Sequence, residues 1–106
     1  MDHREGEHGQ SRDQTDDEAQ ACNELRATLA TNLKAARQKL QLSQAAFARK
    51  AGVKQNTLCQ LEKASQNASL PMLVRLAVAA GVPAPALLIP GAVDRASMPA
   101  WASRAQ

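Results

Sequence analysis

Apolar residues recur every three or four positions through much of the chain, the spacing that keeps one face of an α-helix buried. The first row of this kind comprises Cys22, Leu25, Leu29, Leu33, Ala36 and Leu40. It predicts a first helix that ends near Leu40. Thr15 and Glu18 have the spacing of a capping box, which favours a start near Asp16. A shorter form of the helix would begin near Thr28.

Shorter apolar rows predict four further helices. Ser43 is a suitable N-cap for a second helix, which Gly52 ends with a tight turn. A third helix, roughly Gln55 to Lys63, leaves an unusually polar exposed row: Lys54, Gln55, Asn56, Cys59 and Gln60. Ser69 caps a fourth helix that Gly81 ends, and Pro85 to Ile89 form a short fifth one. No segment alternates as a strand does, so the fold class is all-α.

Charge divides the 106 residues into three parts. Residues 1–27 carry eight acids and three Arg, whereas residues 28–90 carry eight basic residues and one acid, Glu62. A basic body points to an anionic partner, most commonly nucleic acid. The acidic head is predicted to be largely disordered, because residues 1–14 have no aliphatic side chain after Met1. Residues 91–106 are predicted to form a flexible tail.

Several classes of protein are disfavoured. No apolar stretch approaches the length of a membrane span and the first residues are polar, so we expect a cytoplasmic protein without membrane contact. His3 and His8 lie in the polar head, and the body's single carboxylate has no partner for acid–base chemistry. Cys22 and Cys59 are too few for a four-cysteine zinc site. We therefore expect no enzyme activity, no cofactor and no metal site.

Short segments from about Leu29 to Ile89 form a recognisable pattern: Leu42-Ser43-Gln44, Phe47-Ala48, Ala51-Gly52-Val53, Leu58, Leu61-Glu62, Ser69-Leu70-Pro71-Met72-Leu73 and Ala80-Gly81-Val82. Through these segments the middle of the chain resembles the Cro and phage-repressor type of helix-turn-helix protein. The resemblance implies a five-helix, lambda-repressor-like DNA-binding domain over residues 28–90, with the helix-turn-helix at about 44–63. Ala64 departs from the family pattern, in which a glycine often ends the recognition helix.

This family places the third helix in the major groove of DNA, with its first residues at the base edges. Gln55 and Asn56 are the strongest base-reading candidates, because an amide matches the donor and acceptor of adenine. The other candidates for base contacts are Gln60 and Lys54, and those for backbone contacts are Gln44, Ser43, Thr57, Lys63, Ser65 and Asn67. The resemblance also implies an ion pair between Arg37 and Glu62 that fixes the recognition helix.

These observations predict a sequence-specific transcriptional regulator, a repressor that binds a short palindromic operator on double-stranded DNA as a homodimer. Three surfaces are candidates for pairing: the fourth and fifth helices with Leu87, Leu88 and Ile89; the first helix with Cys22 and Leu25; or the tail with Val93, Met98 and Trp101. The fifth helix is preferred. The alternative is an antitoxin whose termini bind a protein partner while its core represses its own operon. Cys59 is either an inert thiol or a redox-sensitive one.

Overall fold

The computed structural model describes the backbone of residues 3 to 95 and the side chains of residues 16 to 93. Within that part of the chain there is no strand, and four α-helices have eight or more residues: α1 His3–Lys39, α2 Gln44–Ala51, α3 Gln55–Glu62 and α4 Leu70–Ala80. A 3-10 helix, Ala84–Leu88, and a four-residue helix, α5 Ala92–Arg95, follow. The all-α class predicted from the sequence is therefore confirmed.

The element after α4 differs from the prediction. The sequence predicted an α-helix from Pro85 to Ile89, and the structure has a 3-10 helix over Ala84–Leu88. Prolines at 83, 85 and 90 remove backbone donors and confine the segment to a few residues, which favours the shorter 3-10 repeat. The fold also extends past the predicted boundary at residue 90, because Val93 of α5 is buried in the core.

The long first helix also begins earlier than predicted. The structure starts α1 at His3, upstream of both predicted starts near Asp16 and Thr28. Adding residues to an existing helix costs far less than nucleating one, so a polar segment can continue a helix that tertiary packing holds further along. The side chains of residues 1–15, including His3, His8 and Thr15, lie outside the described residues, and so does the tail from residue 96.

The core forms where the second half of α1 packs against the other helices. Its largest fully buried side chains come from every main element: Phe47, Leu33, Leu58, Leu61, Leu76 and Leu87. Ala48 is buried where α2 and α3 lie close together, a position at which a small side chain allows the close approach. α2 packs on α3 and α4, and α3 packs on α1.

One polar residue is buried with this apolar face. Asn32 is 2% exposed, and its Nδ2 donates hydrogen bonds to the carbonyl oxygens of Ala86, Leu87 and Ile89 at 3.1, 2.9 and 3.0 Å. The side chain thereby fastens the 3-10 helix to α1. Its place on the apolar row, between Leu29 and Leu33, was the only sequence signal for this role.

Candidate nucleic-acid interface

The two helices of the predicted motif are joined by a three-residue turn. Ser43 caps α2, with its Oγ accepting a hydrogen bond from the amide of Ala46 at 3.1 Å. Gly52 ends α2 with φ +74°, and the amide of Val53 donates to the carbonyl of Ala48. A Cβ at Gly52 would meet nothing within 4 Å, so the left-handed backbone and not crowding is the reason for glycine here.

A hydrogen-bonded ion pair anchors α3 to α1. The Nε and Nη2 atoms of Arg37 lie 2.9 and 3.1 Å from the two carboxylate oxygens of Glu62. The remaining Nη1 donates to the carbonyl of Leu42 just before α2, and Gln44 donates its Nε2 to Glu62 at 3.0 Å. Four side-chain hydrogen bonds thus fix the relative positions of α1, α2 and α3. The Gln44 amide was predicted to contact the DNA backbone, and one of its N–H groups donates within this network instead.

The first turn of α3 presents free polar groups to the surroundings. Lys54 is the N-cap residue, and Lys54, Gln55 and Asn56 are all exposed. Among the described residues, neither side-chain amide of this turn has a hydrogen-bond partner, so both donors and acceptors are available. Thr57 is half-buried, at the edge of the exposed row. The first turn of α3 therefore has polar side chains that can hydrogen-bond to an external partner.

The second half of the predicted site is more constrained. Gln60 is half-buried and accepts a hydrogen bond from Ser65 through its side-chain oxygen. The Oδ1 of Asn67 accepts a hydrogen bond from Nη1 of Arg26 on α1 at 2.6 Å. This bond connects the loop after α3 to the upstream part of α1. Lys63 is exposed and forms the C-cap of α3. Sequence reasoning missed Arg26, and no local pattern could have found it, since its partner is 41 residues away.

Ala64 takes the conformation that glycine usually supplies at the end of the recognition helix. Its φ is +61°, and the turn is closed by hydrogen bonds from Ala64 N to Leu61 O and from Ser65 N to Gln60 O. These two bonds satisfy carbonyls at the end of α3, as a glycine cap would. Ala64 therefore closes the end of α3 in a left-handed conformation that glycine adopts without strain.

The strain at Ala64 gives a direct prediction. Ala64→Gly should raise the free energy of unfolding by about 0.5 to 1 kcal/mol, because a left-handed conformation penalises a Cβ. Chemical denaturation monitored by circular dichroism measures the change. The same substitution within α1, Ala35→Gly, is the matched control and should lower stability by about 1 kcal/mol. Equal losses in both variants would contradict the strain at Ala64.

The exposed charged side chains of residues 28–90 are all basic. Seven basic side chains of residues 28–90 are exposed: Lys34, Lys39, Arg49, Lys50, Lys54, Lys63 and Arg75. The segment's only acid, Glu62, is 4% exposed and paired with Arg37. No carboxylate within residues 28–90 therefore offsets these cations at the surface, and a polyanion is the partner that this charge pattern fits.

The sequence pattern that defines a helix-turn-helix family matches residues 33–87, just over half of the chain. The chain belongs to the Cro and repressor type of helix-turn-helix proteins. This match confirms the resemblance. It covers α2, α3, α4 and the end of α1, residues 33–39. Comparisons with curated proteins and with solved structures gave no significant match.

A Cro and repressor type protein is a DNA-binding regulator, and the family is not normally enzymatic. Among the described residues, no group of three or more His, Cys, Asp or Glu side chains lies together as a metal site would require. None of the described helices is both long enough and apolar enough to cross a membrane.

Proposed function

We propose that this helix-turn-helix protein is a sequence-specific transcriptional repressor that inserts α3 into the major groove of a short palindromic operator. The observation that carries the proposal is the pair of free, exposed amides of Gln55 and Asn56 on the first turn of α3. In this motif that turn lies at the base edges. Adenine offers an adjacent acceptor and donor there, which a side-chain amide matches with two hydrogen bonds.

The surroundings of this turn support the same function. The Arg37–Glu62 pair and the Gln44 amide hold α3 against α1 and α2, so the reading residues are held in a fixed position. Lys54 and Lys63 at the two ends of α3 are exposed and supply positive charge toward phosphates or bases. Ser43, Thr57, Asn67 and the second N–H of Gln44 are the remaining proposed contacts to the DNA backbone.

The proposal predicts that base readers and backbone contacts fail in different ways. Sites selected from random duplex DNA by the full chain, at two salt concentrations, should give half-sites about one helical turn apart. Gln55→Ala and Asn56→Ala should each relax the preference at one base position of the half-site, at a cost of about 1 to 3 kcal/mol for the preferred site. Binding should weaken as the salt concentration rises.

Two variants serve as controls for that experiment. Lys63→Ala should weaken binding to all sequences by a similar factor, because a phosphate contact carries no base information. Gln38→Ala, an exposed glutamine of α1, should leave binding unchanged. Tight binding with an unaltered sequence preference in Gln55→Ala and Asn56→Ala would contradict the assignment of the base readers.

A palindromic operator requires two copies of the chain, and we propose that they pair. Of the preferred pairing residues, Leu87 is fully buried within its own chain. Leu88 is half-buried and Ile89 is exposed, so these two remain accessible to a second copy. Leu88 lines a groove together with Cys22 and Leu25 of α1, so two of the predicted surfaces form one. Val93 is buried, and Met98 and Trp101 lie outside the described residues.

The antitoxin alternative rests on the termini, of which the structure describes the side chains of residues 16–27 and 91–93. No contact of the described residues favours a toxin over DNA as the partner. We propose that this regulator acts in the cytoplasm.

A further inference from the structure

A guanidinium on the upstream part of α1 lies against the loop that follows α3. The Nη1 of Arg26 donates to the Oδ1 of Asn67 at 2.6 Å, and its Nη2 donates to the Oδ1 of Asn23. Arg26 precedes Arg37 by about three helical turns, so the two residues share one side of α1. Arg37 meets Glu62 at the end of α3, and Arg26 meets the loop just beyond it. This side of α1 therefore contacts two successive parts of the motif.

The charge of this guanidinium has no counter-ion among the described residues. Both of its hydrogen-bond partners are neutral amides. Glu24 is two residues away, which places it on the opposite side of the helix, where it accepts a hydrogen bond from Gln20. The acids at 16–18 lie about 12 Å or more upstream, beyond the Debye length of about 8 Å at physiological salt. The charge of Arg26 is therefore available to a partner outside the chain.

Arg26 also retains hydrogen-bond donors beyond those that hold it in place. A guanidinium has five N–H groups, and Asn23 and Asn67 accept from two of them. The others have no partner among the described residues. Because the oxygen of Asn67 faces Arg26, its NH2 group lies on the other branch of the amide, and it too has no described partner. Several N–H donors beside a positive charge suit a phosphate group.

The loop that Arg26 contacts directly follows the helix proposed to enter the major groove. Residues 63–69 contain no acid, and the exposed Lys63 and Asn67 are proposed contacts to the DNA backbone. Nη1 of Arg26 is within hydrogen-bond distance of Asn67. A phosphate bound by the NH2 group of Asn67 is therefore within reach of the guanidinium.

We propose that Arg26 binds a phosphate of the DNA backbone, with Asn23 and Asn67 holding its guanidinium in place. The inference rests on the proposed function and adds a contact from α1 to those of α3 and the loop. Arg26 precedes residues 33–87, which match the family pattern, so the contact belongs to the upstream part of α1 in this chain. A phosphate contact carries no base information, so Arg26 strengthens binding to every sequence.

The test measures binding of the full chain to its selected site and to random duplex DNA over a series of salt concentrations. Arg26→Ala should weaken both by a similar factor, about tenfold per bound chain. It should also make the fall of log K with log salt concentration shallower by about 0.9 per bound chain, since one phosphate is no longer neutralised. Arg26→Lys retains the charge and should keep the salt dependence. Asn23→Ala removes only a neutral partner and should keep it as well.

Two controls accompany the salt series. Lys34→Ala removes an exposed cation from the same helix and should change the salt dependence by less than half as much as Arg26→Ala. Thermal unfolding followed by circular dichroism should show that every variant melts within a few degrees of the parent protein, because Arg26 lies outside the core. If Arg26→Ala melts earlier, the neutral variant Arg26→Gln takes its place in the salt series.

The outcomes separate this inference from the proposed function. An unchanged salt dependence in Arg26→Ala would mean that Arg26 only supports the loop, and would overturn the inference. An equal change in Lys34→Ala would assign the effect to net charge and overturn it as well. Loss of preference at one base position would make Arg26 a base contact, with the same result. A full chain without any preferred site would overturn the proposed function, while the salt series on random duplex DNA would still test Arg26.

Discussion

Arg37→Ala is expected to lower the free energy of unfolding by about 3 to 5 kcal/mol, because it leaves a buried carboxylate without its counter-ion. The carboxylate side chain of Glu62 is 3% exposed, against 18% for the guanidinium side chain. After the substitution only the neutral amide of Gln44 would still contact Glu62 among the described partners. A buried charge is expensive unless it is paired and hydrogen-bonded.

Urea denaturation followed by circular dichroism measures this loss. Lys34→Ala removes an exposed cation from the same helix and should change stability by less than about 0.5 kcal/mol. A double variant, Arg37→Met with Glu62→Leu, should be more stable than Arg37→Ala, since no unpaired charge remains in the interior. If Arg37→Ala were as stable as Lys34→Ala, the pair would contribute nothing to holding α3.

The second large effect is expected at the buried amide of α1. Asn32→Asp should lower the free energy of unfolding by about 3 kcal/mol, because it replaces the donor that faces three carbonyl oxygens with acceptor atoms of the same shape. Asn32→Ala removes the donor without adding an acceptor and should cost about 2 kcal/mol. For a domain of this size that loss lowers Tm by roughly 10 °C.

Thermal unfolding of these variants beside Thr31→Ala, the exposed neighbour on α1, tests the role of the amide. The control should melt within a few degrees of the parent protein. Thr31→Ala should be the most stable of the three variants, Asn32→Ala the next and Asn32→Asp the least stable. Asn32→Asp keeps the volume of the side chain but places acceptor atoms against the three carbonyl oxygens. Equal melting of Asn32→Ala and Thr31→Ala would contradict a clamp between α1 and the 3-10 helix.

Local patterns in the sequence predicted the positions of α2, α3 and α4 and the buried side of each helix. Ser43 and Gly52 cap α2, and Ser69 and Gly81 cap α4, as the sequence predicted. The exposed turn with Gln55 and Asn56 follows from the same reading, because caps and apolar periodicity act between residues a few positions apart. Family membership was likewise visible, since the motif is one contiguous segment.

Which polar side chains already have a hydrogen-bond partner within the protein depends on the tertiary structure. Asn32 meets carbonyls 54 to 57 residues away, and Arg26 meets Asn67 across 41 residues, so neither contact leaves a trace in local spacing. The same is true of the Gln44 bond to Glu62, which turns an expected phosphate contact partly toward the protein. These partners depend on packing, because a buried or half-buried polar group forms hydrogen bonds with the donors and acceptors that the fold brings next to it.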